Sequence, residues 1–86
     1  MTASYWVLVA DELLDSMDPS LLPDGLRLAE PPAEAGDALG VYPAHWHRFE
    51  DDNAPAELDG KRVELVLGRQ GREGAKSVII ERRVLP

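Results

Sequence analysis

Residues 61–85 read KRVELVLGRQGREGAKSVIIERRVL, and this stretch decides the fold class. Along 62–67, Val63, Leu65 and Leu67 fall at every second position, so they share one face of an extended chain. Along 77–85, a second run carries Val78-Ile79-Ile80 and Val84-Leu85. The loop between them, Gly68–Gly74, contains three glycines. Two runs of strand character joined through glycine predict a long C-terminal β-hairpin.

The rest of the chain is read outward from that hairpin. Residues 50–60 form an acidic loop that ends in Asp59-Gly60. The segment 39–49 admits two readings. As a helix from Pro43 it places Tyr42, Trp46 and Phe49 on one face. As a strand it puts His45 and His47 on one face and Trp46 on the other. The proline inside the run and the β character of Val41-Tyr42 favour a strand or an irregular segment. Residues 30–38 are a polar loop with two prolines. At the N-terminus, Tyr5–Ala10 is apolar on both faces, as expected of a central strand covered on two sides. Asp11 then opens a short helix carrying Leu13, Leu14 and Met17. Asp18-Pro19 ends that helix, because the residue before proline is pushed out of the α region. A further turn at Leu21-Leu22, a chain reversal at Pro23-Asp24-Gly25 and a short strand at Leu26–Leu28 complete the order.

Strands do not alternate with long helices, so a parallel α/β sheet is not expected. The expected architecture is α+β. It consists of one domain over residues 1–86, with a small, mostly antiparallel sheet or partly closed barrel, one short N-terminal helix and the hairpin. A chain of 86 residues has a small core. It has no cysteine, which removes disulfides and thiolate metal sites. No Lys or Arg precedes Arg27, the first apolar run is six residues long, and nothing approaches a membrane span. A cytoplasmic protein is the expectation.

Charge is unevenly distributed along the chain. Residues 1–59 hold 13 Asp/Glu against Arg27 and Arg48, a balance of −11, while residues 60–86 hold seven Lys/Arg against three Glu, a balance of +4. The two sum to the net −7. An acidic balance disfavours non-specific nucleic-acid binding and favours docking on a basic partner.

Three constellations bear on chemistry. His45 and His47 with Glu50, Asp51 and Asp52 have the donor types of a divalent-metal site, provided the segment is a strand. The blander reading keeps Trp46 in the core and the histidines as surface or half-buried polar groups, so no cofactor is expected. The glycine loop with Arg69 and Arg72 lacks the Gly-Lys-Ser/Thr ending and following helix of a phosphate loop. It reads as a hairpin loop whose arginines reach toward a partner. The basic hairpin offers a nucleic-acid surface, but no aromatic residue follows Phe49 to stack on bases. No serine lies in a nucleophile setting, and sixteen acids give no specific acid–base pair.

The leading expectation is a non-enzymatic interaction protein, such as an adaptor, inhibitor or antitoxin-like regulator. It would bind another protein, one with a basic surface, through Glu50, Asp51 and Asp52, with Tyr42, Trp46 and Phe49 as aromatic anchors. A nucleic-acid module is the alternative, a metal-binding protein the third, and homo-oligomerisation is compatible with each.

Overall fold

The computed structural model describes residues 2–16, 18–29, 34–36, 41–69 and 77–86. In chain order the elements are β1 (Ala3–Ala10), α1 (Asp11–Ser16), β2 (Leu26–Leu28), β3 (Glu34–Ala35), β4 (Ala44–Asp51), β5 (Val63–Arg69) and β6 (Ser77–Val84). Short 3₁₀ turns lie at Pro19–Leu21 and Ala56–Leu58.

The strand reading of the ambiguous segment holds, and β4 is the centre of the main sheet. β1, read from the sequence as a central strand, is instead an edge strand of this sheet and runs antiparallel along one edge of β4, from Ala3 opposite Asp51 to Ala10 opposite Ala44. β2 and β3 share the other edge, with Leu26–Leu28 opposite Asp51–Phe49 and Glu34–Ala35 opposite Trp46–His45. A helix starting at Pro43 would leave both neighbours without hydrogen-bond partners. As a strand, the segment pairs on both edges and sends alternate side chains to different environments.

Tyr5, Val9, Leu26 and Phe49 point to one face of this sheet and form the core with Ala3, Ala54, Leu58 and Val63. Val7, Leu14, Leu22, Leu65 and Ile79 pack around them, so the hairpin β5–β6 covers that face. Trp6, Leu8 and Trp46 lie on the other face, which explains why β1 is apolar on both sides. Trp46 is buried there, and the Arg62 guanidinium stands 4.6 Å from its ring centroid.

The hairpin is present as expected, but it forms a sheet of its own and no barrel closes. Among the described residues, the chain bonds to the free edge of β1 only from Asp59 to the start of β5. There the Gly60 N–H donates to the Ser4 carbonyl at 2.7 Å and the Trp6 N–H donates to the Lys61 carbonyl at 2.8 Å. Trp6 and Arg62 make a single parallel bridge. Beyond it β5 diverges from β1 and pairs with β6 from Val63 opposite Val84 to Arg69 opposite Ser77. The register slips by one at Val66/Leu67, where Ile80 is the extra residue of a bulge. Gly68 and Arg69, read from the sequence as part of the glycine loop, belong to β5, and residues 70–76, with Arg72, lie outside the described residues.

Candidate functional site

The acidic run 50–52 is built into the sheet by the alternation of β4. Glu50 and Asp52 turn outward and both meet Arg27, at 3.1 and 3.0 Å. Asp52 also accepts a hydrogen bond from the Thr2 hydroxyl at 2.9 Å. Asp51 turns inward and is fully buried, because its position opposite Ala3 and Leu26 faces the core. Trp46 and Phe49 are also buried, 9% and 4% exposed. Three of the expected contact residues therefore lie inside the molecule. Tyr42 remains half exposed, and Arg69 is exposed at the end of β5.

Around Asp51 the structure assembles a polar cluster that the sequence does not announce. The Tyr5 hydroxyl donates to Oδ2 at 2.5 Å, and Arg82 Nε donates to the same oxygen at 2.8 Å. Arg82 Nη2 and the Asn53 N–H donate to Oδ1, at 3.3 and 3.0 Å. Burial alone pushes the Asp51 carboxyl up, but the hydrogen bonds from Arg82, Tyr5 and Asn53 outweigh it and hold it below its usual range. Burial, and then the hydrogen bond to Asp51, push the Tyr5 phenol well above its usual value. The cluster ties β1, β4 and β6 together and fills the carboxylate's acceptor sites with donors. It is a structural clasp.

Two further basic residues of the C-terminal part, Arg62 and Arg83, also meet carboxylates. Arg62 reaches Glu34 at 3.4 Å, and Arg83 reaches Glu81 at 3.0 Å and Glu64 at 4.0 Å. The two charge territories of the sequence are thus partly interleaved in space.

His45 and His47 do share a face of β4. His45 Nδ1 lies 2.7 Å from Asp11 Oδ1, a half-buried pair at the start of α1. Burial lowers the His47 pKa, with His45 adding to the effect and Asp11 opposing it. Among the described residues no group of three or more His, Asp or Glu is placed to hold a metal ion.

What stays open is the region where β5 leaves β1. A cavity of 250 Å³ lies between them, lined by Val7, Leu8, Val63, Glu64, Leu65 and Leu85. A second, of 220 Å³, continues along Val7–Ala10 to Phe49, Leu65 and Leu67, with Leu13 of α1 at its end. On the far side of Leu13 a hollow of 350 Å³ is bounded by Ala10, Glu12, Ser16 and Tyr42. Leu13 is 60% exposed, Tyr42 52% and Leu67 47%. The amphipathic pattern of α1 points to Leu13 as a core residue alongside Leu14, yet only Leu14 packs inward. The exposure of Leu13 follows from the divergence of β5, which no local pattern encodes. Compared with protein-family models, curated proteins and solved structures, the chain matches none of them.

Proposed function

We propose that the chain is a small non-enzymatic interaction protein, an adaptor, inhibitor or antitoxin-like regulator, that binds another protein with a basic surface. One observation carries this reading: the contiguous apolar surface made by Tyr42, Leu13 and Leu67, bordered by the exposed Glu12 of α1, with the exposed Asp15 three residues further along the same helix. Exposed apolar residues that share cavities and are rimmed by polar groups are the signature of a contact surface. The one fully buried carboxylate among the described residues is engaged in the Tyr5–Asp51–Arg82 clasp. Glu50 and Asp52 are engaged by Arg27, so the acidic contribution to docking moves from the 50–52 loop to α1.

The test is affinity capture with the full chain at two salt concentrations, repeated with Leu13→Arg and with Glu12→Gln/Asp15→Asn. Circular dichroism confirms that each variant is folded. A partner held by the parent chain is lost with Leu13→Arg, and its salt dependence shrinks when the acids are neutralised. A partner held equally by all three proteins would remove this surface from the function.

A further inference from the structure

The divergence of β5 from β1 leaves two strand edges facing one another across an apolar floor. Backbone groups alternate between the two edges of a strand. The Trp6 N–H points toward Lys61, so the N–H and C=O of Leu8 point to the same side. On β5, the Leu85 N–H donates to the Arg62 carbonyl at 2.8 Å, so even-numbered residues face β6. The backbone groups of Leu65 and Leu67 consequently face β1. Among the described residues no hydrogen bond fills either edge beyond the Trp6–Arg62 bridge. Unpaired edges of this kind are templates for another strand.

We infer that the β1–β5 cleft receives an extended segment of the partner protein as an added strand, and that this segment alternates apolar residues with Lys or Arg. The inference rests on the interaction reading above and gives it a mode. Backbone pairing with Leu8 on one side and Leu65 on the other supplies affinity, while side-chain pockets supply specificity. One face of the added strand looks onto Val7, Phe49, Leu65 and Leu67, which calls for apolar side chains. Its other face lies beside Glu64, and beyond Leu13 at its end lies Glu12 of α1, which calls for cations. The chain's net −7 steers the same kind of segment toward it.

The probes are short capped peptides alternating Val with Lys, the same peptides with Glu in place of Lys, and a backbone N-methylated form of the Lys peptide. Binding is followed on the intact, isotope-labelled chain by NMR. The Lys peptide binds, the Glu peptide binds at least tenfold more weakly, and N-methylation abolishes binding. Amide exchange at Leu8 and Leu65 slows at least tenfold in the complex. Binding without protection at Leu8 and Leu65, or equal binding of the N-methylated form, overturns strand addition. The Leu13→Arg capture result stands apart from that outcome. Failure of every peptide to bind also overturns the inference, whereas loss of the docking surface itself is read from the capture experiment alone.

Discussion

Removing the Asp51 carboxylate tests the physical account of this fold most directly. Asp51 is fully buried and accepts from Tyr5, twice from Arg82 and from the Asn53 N–H. Asp51→Ala leaves the Tyr5 hydroxyl without an acceptor inside the core. It also leaves the Arg82 side chain, only 20% exposed, facing a hole. Breaking one side of a buried ion pair costs about 3–5 kcal/mol. The residual access of Arg82 to water places this case near the lower end. A domain of 86 residues has roughly 4–13 kcal/mol in all, so the variant loses a large part of its stability. The melting temperature falls by on the order of 15–20 °C. Urea unfolding followed by tryptophan fluorescence and by circular dichroism reads the change.

The decisive comparison is Asp51→Leu/Arg82→Met. Replacing both partners with apolar groups removes the stranded charge, so the double variant is more stable than either Asp51→Ala or Arg82→Met. The pH profile adds a sign. The Asp51 pKa is depressed in the folded state, so its contribution is complete above the unfolded value of about 3.9. It is lost as pH falls through the lower folded value. The parent protein therefore loses stability in that acid window, and the double variant loses less. A loss below about 1 kcal/mol for Asp51→Ala, or a double variant as unstable as the sum of the singles, would refute the clasp.

Two further predictions concern other joints of the same framework. The Tyr5 pKa is raised, by burial first, so the folded protein keeps this phenol neutral while the unfolded chain ionises it near pH ~10. Stability is complete below that pH and declines above it. In a Tyr42→Phe variant, phenolate absorbance rises together with the loss of circular dichroism; a rise that precedes unfolding would contradict the burial of Tyr5. Gly25 and Gly60 have φ of +83° and +76°. Alanine at either costs about 1–2 kcal/mol for the left-handed backbone. Gly25→Ala is the worse, because its Cβ would stand 2.8 Å from Asn53 Nδ2, whereas nothing lies within 4 Å at Gly60. Equal losses in urea unfolding would show that the Asn53 contact does not matter.

The parts of the fold that were legible are those specified by neighbours in sequence. The hairpin was readable from the alternation at Val63, Leu65 and Leu67. The helix start at Asp11, the break at Asp18-Pro19 and the reversal at Gly25 were readable because each depends on backbone preferences of one or two residues. The centre of the sheet was harder. β4 pairs with β1 along its whole length but meets β3 at 45–46 and β2 at 49–51 on its other edge, so the pattern in 44–51 is neither a clean period of two nor of 3.6. The candidate site was the least legible. Asp51 looks like the middle of a solvated acidic run. Only its register opposite Ala3 and Leu26, set by chain segments 48 and 25 residues away, turns it inward to Tyr5 and Arg82.

The charge asymmetry shows the same dependence on long-range contacts. Segregation along the chain becomes partial interleaving in space, because β6 and the approach to β5 return across the main sheet, placing Arg82 on Asp51 and Arg62 on Glu34. Among the described residues, the exposed carboxylates that line the apolar hollows are Glu12 of α1 and Glu64 of β5. The proposed docking surface is therefore defined by subtraction. It consists of the acidic and apolar groups left over where β5 parts from β1, and that parting follows from a single bridge at Trp6–Arg62 that a linear pattern of residues does not express.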